Sequence, residues 1–155
     1  MRARAQLWFL NSLITIRVSS EQGSDAISVI EHLSPRGESP PLHVHHTEDE
    51  IFHILEGELR FRVADEDVQV RTGETLLAPK GVAHTYVVES ERGRWLVTTP
   101  RGDFERFVRS FSRPAEREEL PEPSPPPTPE QAEAMAAACR EHGIELIGPS
   151  PLVRW

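Results

Sequence analysis

Short apolar runs separated by turn-forming residues dominate the stretch from Gly37 to His84. Gly57 and Gly73 each close such a run, and Pro79–Gly81 forms a rigid corner before the last one. The runs are short for helices, and several alternate apolar with polar residues, as half-buried strands do. Strands at this close spacing predict an all-β barrel or jelly roll for this part of the chain.

Three histidines and one glutamate lie among these predicted strands. His43 and His45 share one strand face, because side chains two residues apart point to the same side. Glu50 begins the next strand, and His84 belongs to a later hairpin. The four side chains converge only if the sheet curls, as it does in a barrel with an apolar pocket inside. They suit one divalent transition metal: iron, manganese, nickel, copper, cobalt or zinc.

Charge and composition narrow the class of partner. The chain has 17 basic and 25 acidic residues, a formal charge of −8, which disfavours nucleic acid and anionic membranes. No apolar run reaches the roughly 18 residues of a membrane span. The one cysteine, Cys139, allows no disulfide within the chain, which favours a cytoplasmic protein. We therefore expect a small-molecule partner.

Two segments before the histidines predict further strands. Residues 5–19 form one or two strands, and residues 25–33 form another. Neither face of the second segment is purely polar, so it is expected to be covered on both sides, which favours a homodimer. His32 lies on this strand and is interpreted as a hydrogen-bonded structural residue, with a role in the site as the alternative. His46 and His53 fall on the opposite strand faces from the four predicted ligands.

The last third of the chain changes character. Residues 103–111 have apolar residues at helical spacing, and Asp103 is suited to the N-cap. Thr128 and Gln131 form a capping box at the start of a second helix. We therefore divide the chain into a barrel with its following short helix (1–112), a proline-rich linker (113–129), and a C-terminal helix with a docking tail (130–155).

Two sequence motifs carry a family resemblance. The pattern G-x5-H-x-H-x4-E-x6-G is met at Gly37, His43, His45, Glu50 and Gly57; G-x5-P-x-G-x2-H is met at Gly73, Pro79, Gly81 and His84. The chain thus resembles the cupin superfamily. Val88 replaces the asparagine that ends the second pattern and is not a ligand in the family. The resemblance implies a cupin β-barrel (double-stranded β-helix, jelly roll) with C-terminal helices, and His43, His45, Glu50 and His84 as metal ligands.

The residues from Pro41 to Leu59 are similar to small single-domain bacterial cupins of the quercetin-dioxygenase-like type. This implies a metal-dependent dioxygenase acting on a phenolic or enolisable small molecule, with Glu50 as ligand and proton acceptor. Phe52, Phe61 and Tyr86 are expected among the walls of the substrate pocket. A metal-dependent isomerase or lyase acting on a sugar or keto acid is the second hypothesis. A small-molecule binding cupin without turnover is the third.

Overall fold

The computed structural model describes residues 4–154, so residues 1–3 and 155 of the predicted first and last segments lie outside it. Within this range the strands are β1 (Gln6–Phe9), β2 (Ser12–Val18), β3 (Ser28–Pro35), β4 (Leu42–His45), β5 (Glu50–Glu56), β6 (Glu58–Val63), β7 (Glu66–Arg71), β8 (Thr75–Ala78), β9 (His84–Val88), β10 (Arg92–Thr99), β11 (Arg113–Pro114) and β12 (Ile144–Gly148). The helices are α1 (Asp103–Phe111) and α2 (Pro129–Glu141). In the described residues, neither helix has the length and apolar content needed to span a bilayer.

The strands form two antiparallel sheets. The seven-stranded sheet has the order β11-β1-β2-β3-β10-β5-β8, and the five-stranded sheet has the order β12-β4-β9-β6-β7. Strands that follow one another in the chain often lie in different sheets, as in a jelly roll. The predicted all-β jelly-roll barrel with C-terminal helices is confirmed.

The centre of the barrel is packed with aromatic and aliphatic side chains. Trp95 and Ile54 from one sheet are fully buried against Leu59 and Phe61 from the other. The ring centroids of Phe52 and Phe61 are 4.9 Å apart across the two sheets. Because both inner faces contribute to this core, it fixes the separation of the sheets and therefore the width of the barrel.

The two helices pack on a second apolar cluster, on the same face of the seven-stranded sheet as Trp95 and Val97. Ile14 and Ile30 of the sheet contact Phe107 and Val108 of α1, and Cys139 of α2 joins them. Cys139 is buried, as expected for a small helix-packing residue. The cluster holds both helices at one end of the barrel.

The starts of the two helices differ in how well the sequence predicts them. The predicted capping box of α2 is confirmed, with both the Thr128 and the Gln131 side-chain contacts present. The predicted N-cap Asp103 is wrong, because Gly102 occupies that position in a left-handed conformation and makes no side-chain cap. Asp103 is instead the first residue of α1 and accepts a hydrogen bond from Thr47 Oγ1 at 2.7 Å.

We name residues 129–148, which comprise α2 and β12, the C-terminal arm. Its strand β12 pairs antiparallel with β4, and Ile144 lies opposite His45. The carbonyl of Gly143 accepts a hydrogen bond from the His46 backbone N–H at 2.8 Å. The arm therefore completes the sheet beside the strand that carries two of the predicted ligands.

Some apolar side chains stay on the outer surface. Ile51 and Leu77 lie opposite each other on β5 and β8 and are 44% and 51% exposed. Ile27, which directly precedes β3 in the chain, is 46% exposed. This surface fits the predicted homodimer, which stays a prediction. The cytoplasmic location and the division of the chain at residues 112 and 129 stay predictions as well.

Candidate metal centre

The structure brings the four predicted ligand residues together inside the barrel. His43 and His45 lie on β4, Glu50 begins β5, and His84 begins β9. His43 is paired directly with His84 across β4 and β9. One ligand atom from each of the four residues lies within 4.8 Å of the others, and all four residues are buried. We name this group the His/Glu cluster.

Backbone carbonyls orient two of the imidazoles. His43 Nδ1 lies 2.7 Å from the carbonyl oxygen of Pro41, and His84 Nδ1 lies 3.2 Å from that of Val82. A carbonyl oxygen only accepts, so each Nδ1 carries the proton and donates it. The tautomer leaves the Nε2 lone pair of each ring facing the cluster, which is the arrangement that metal-binding histidines use.

Glu50 lies between two rings in a way that hydrogen bonding does not account for. Its Oε2 is 2.7 Å from His84 Nε2 and 3.1 Å from His45 Nε2. Nevertheless, Glu50 Oε2 and His84 Nε2 are buried atoms without a hydrogen bond of acceptable geometry. With the proton of His84 on Nδ1, its Nε2 is an acceptor, as is the carboxylate oxygen of Glu50, so no proton lies between the two atoms. Buried donor atoms that converge in this way fit a single divalent metal.

Burial and mutual contact control protonation in the cluster. Burial, assisted by the charges of His84 and His45, lowers the pKa of His43 to about 3, and burial also lowers that of His45. Burial disfavours ionised Glu50, but the adjacent imidazoles outweigh it and lower its pKa to about 2. Burial likewise disfavours charged His84, yet contact with Glu50 raises its pKa. The cluster therefore holds an ionised carboxylate in contact with His84, and a metal would compete with any proton bound there.

A cavity of about 90 Å³ opens onto the His/Glu cluster. Its walls are almost entirely apolar: Phe52, Tyr86 and Val97 from the barrel, Phe104 and Phe107 from α1, and Met135 and Ile144 from the C-terminal arm. Within residues 4–154, no arginine or lysine lines it. The described lining thus offers no cationic side chain to pair with a carboxylate or phosphate, and it presents flat apolar surface to a ligand.

The three predicted wall residues occupy different places. Phe52 and Tyr86 line the cavity. Phe61 is fully buried behind them, with its ring centroid 4.9 Å from that of Phe52 and 5.6 Å from that of Tyr86. Phe61 is a core residue and does not line the cavity, so the structure does not support direct contact with a ligand.

The sequence gives no sign of the position of Glu48, because an acidic run such as Glu48–Glu50 is typical of a solvated loop. Glu48 is 1% exposed, and its carboxylate accepts hydrogen bonds from the backbone N–H groups of Asp103 at 2.7 Å and Phe104 at 3.0 Å. Burial raises its pKa to about 7 despite these two bonds. Glu48 thus joins the loop before Glu50 to the start of α1, where a negative group is favoured.

The phenylalanines of α1 also take part in the site. Their helical spacing is typical of an apolar face packed on the rest of the fold, and Phe107 does pack on the sheet. However, Phe104 and Phe107 also line the cavity, and the Phe104 ring centroid is 5.7 Å from that of His45. The helical spacing predicted the apolar face but gave no sign that this face meets the cluster.

The fold and the cluster define a class of protein: a small jelly-roll barrel with a buried three-histidine, one-glutamate centre. Residues 29–99 match the family model described as a cupin domain. The barrel that these residues form is a cupin domain.

Individual relatives are distant. Quercetin 2,3-dioxygenase from Bacillus subtilis is 24% identical over 130 residues, which is 84% of this chain and 39% of that protein. An uncharacterized protein from Methanocaldococcus jannaschii is 35% identical over 57 residues, 37% of this chain and 46% of that protein. The chain therefore spans less than half the length of these curated relatives.

Among solved structures, a predicted oxalate decarboxylase from Thermotoga maritima shares the fold. It superposes with a TM-score of 0.56 at 21% identity, over 63% of this chain and 91% of that chain. At this level of identity the similarity concerns the barrel and not the reaction.

Proposed function

We propose that this cupin is a metal-dependent dioxygenase that acts on a small phenolic or enolisable molecule. The observation that carries the proposal is the buried His/Glu cluster at the inner end of an apolar, aromatic-lined cavity. Such a centre serves a substrate that is mostly apolar and carries an oxygen able to lose its proton. The relationship to quercetin 2,3-dioxygenase, distant as it is, supports the same class of reaction.

The lining of the cavity favours a phenol over the other substrates considered. A keto acid carries a carboxylate, and the only cation available to it would be the metal itself, because no arginine or lysine is among the described lining residues. A sugar carries a hydroxyl on most of its ring atoms and needs many polar contacts. Apart from the His/Glu cluster, the polar groups among the described lining residues are few, with His32 and Tyr86 the main ones. An isomerase or lyase acting on a sugar or keto acid therefore finds less support in this site.

The size of the cavity favours a single ring. A volume of about 90 Å³ is small beside the roughly 300–1,000 Å³ of pockets that hold drug-sized ligands. A catechol-like ring needs far less space than a flavonol with three rings. We therefore propose a one-ring phenol or a small enol as the substrate class, with the C-terminal arm in its present position.

The residues of the chain have separate tasks in this reaction. A divalent metal, when bound, supplies positive charge that stabilises a deprotonated substrate oxygen. Glu50 is the proton acceptor in this proposal, because it carries the only carboxylate among the described residues that line the cavity. Phe52, Phe104 and Tyr86 exclude water and orient the ring of the substrate.

Metal analysis combined with oxygen uptake tests the proposal. Protein purified without added metal should contain close to one equivalent of a transition metal, and it should consume oxygen with catechol faster than with quercetin. His45→Ala should lose metal and activity together. His46→Ala is the matched control, because His46 is adjacent but half exposed, and its ring contacts Glu145 at 2.7 Å.

The other hypotheses predict different results. Substrate consumption without oxygen would contradict the dioxygenase and favour an isomerase or lyase. Saturable binding of catechol without turnover would favour a binding protein. A His45→Ala variant that keeps full activity would refute the role of the His/Glu cluster.

A further inference from the structure

One polar side chain in the cavity is not explained by the fold or by the His/Glu cluster. His32 of β3 lines the cavity, yet it is only 5% exposed. Its Nε2 atom is buried and has no hydrogen-bond partner. An unpaired buried polar atom costs roughly 1–3 kcal/mol, so this nitrogen weakens the fold unless something else contacts it.

Two aromatic rings hold the imidazole in place. The ring of Trp95 stacks on His32 at a centroid distance of 5.2 Å and an angle of 15°. The ring of Phe104 stacks at 6.0 Å and 8°. Turning the His32 ring out of this plane would break both contacts, so the orientation of Nε2 is fixed in advance.

A purely structural role does not fit these contacts. An apolar side chain at position 32 would fill the same space between Trp95 and Phe104 without leaving a buried nitrogen unpaired. Burial lowers the pKa of His32 to about 4 against the opposing influence of Glu50, so the ring is neutral at neutral pH. A neutral imidazole is a versatile hydrogen-bonding group, able to donate at one nitrogen and accept at the other. Trp95 Nε1 is also unpaired, but Trp95 does not line the cavity.

We propose that His32 is a substrate-binding residue whose imidazole hydrogen-bonds to an uncharged hydroxyl or carbonyl oxygen of the substrate. This inference rests on the proposed function and makes the substrate class narrower. The substrate then carries two oxygen groups, one facing the His/Glu cluster and one facing His32. A one-ring molecule with two neighbouring oxygens, such as a catechol or a cyclic enol ketone, has this pattern.

Binding to zinc-loaded protein separates this contact from turnover, because Zn²⁺ has no redox chemistry. Equilibrium dialysis with catechol should show binding to the unaltered protein and roughly five- to tenfold weaker binding to His32→Phe and His32→Leu. His32→Gln, which keeps a polar group in a similar position, should recover part of the loss. His53→Phe is the control, since His53 lies on the outer face with its Nδ1 2.8 Å from Thr75 Oγ1.

Stability and metal content provide a second, ligand-free measurement. His32→Phe and His32→Leu should bind one equivalent of zinc and should unfold at the same temperature as the unaltered protein or higher, because each removes an unpaired nitrogen. A lower unfolding temperature in both variants would overturn the inference, because the imidazole would then make a structural contact that neither Phe nor Leu replaces.

The binding results distinguish the two proposals. Equal catechol affinity in His32→Phe and the unaltered protein would overturn the role of His32 and leave the proposed function standing. Absence of catechol binding by the unaltered zinc-loaded protein would overturn the proposed substrate class, and the role of His32 with it.

Discussion

Two glycines of the sequence motifs offer a matched test of how the barrel is built. Gly57 lies between β5 and β6 with φ +91°, and Gly73 lies between β7 and β8 with φ +87°. An added Cβ at Gly73 would have no heavy atom within 4 Å. At Gly57 it would lie 2.5 Å from the carbonyl oxygen of Arg92 and 2.4 Å from Ser90 Oγ, closer than real Cβ atoms approach.

The two alanine substitutions should therefore differ in cost. Gly73→Ala places a Cβ-bearing residue in the left-handed region without a steric clash, which costs roughly 1–2 kcal/mol. Gly57→Ala adds the displacement of the Arg92 backbone, because a carbonyl cannot rotate away as a side chain can, and this overpacking costs a further 1–3 kcal/mol, roughly. The expected free energies of unfolding fall by about 1–2 kcal/mol for Gly73→Ala and about 2–5 kcal/mol for Gly57→Ala.

Urea unfolding of both variants, monitored by tryptophan fluorescence, measures this difference. The slope of the unfolding free energy against urea concentration should be the same in both variants, so that the urea midpoints report stability directly. Equal losses in the two variants would refute the reasoning, because the contact with Arg92 would then contribute nothing. A larger loss in Gly73→Ala would refute it more strongly.

Further predictions concern the surroundings of the His/Glu cluster. Glu48→Ala should destabilise the protein by about 2 kcal/mol or more, because two N–H groups at the start of α1 lose their buried acceptor. Asp49→Ala removes one exposed hydrogen bond from the Lys80 N–H and should lower the free energy of unfolding in urea far less. In metal-free protein His43 and His32 have lowered pKa values of about 3 and about 4. Below pH 6.5 the unfolded state therefore binds protons that the folded state excludes, so each histidine lowers stability as the pH falls. His32→Phe removes one of these groups, so its stability relative to the unaltered protein should rise by about 1.5 kcal/mol between pH 6.5 and pH 5, measured by urea unfolding at both pH values. An unchanged difference between the two proteins would contradict the burial of a neutral His32.

The site was predictable where the information is local. His43 and His45 share a face through strand alternation, and the turn residues around Gly57 and Pro79 indicate how the chain returns to bring Glu50 and His84 near them. The capping box at Thr128 likewise needs only four consecutive residues, and the structure confirms it. Such signals depend only on residues that are close in sequence, so they can be read without knowledge of the fold.

The parts that sequence reasoning missed depend on distant neighbours. Glu48 sits in an acidic run that is typical of a solvated loop, and its partners Asp103 and Phe104 are 55 and 56 positions away. A histidine on a mixed strand face, such as His32, gives no sign of the rings that will sandwich it. The tail was expected to dock, but its pairing with β4 follows only from the completed sheet.

The pairing of β12 with β4 has a consequence for synthesis of the chain. Both strands beside the His43 and His45 positions, β9 and β12, follow β4 in sequence, and β12 follows it by about a hundred residues. During translation the edge of β4 stays without its outer partner until residues 144–148 have left the ribosome, and a bare strand edge readily joins other chains. Translation that stalls in the proline-rich region before α2 would therefore leave a barrel in which β4, the strand that carries His43 and His45, has an unpaired edge.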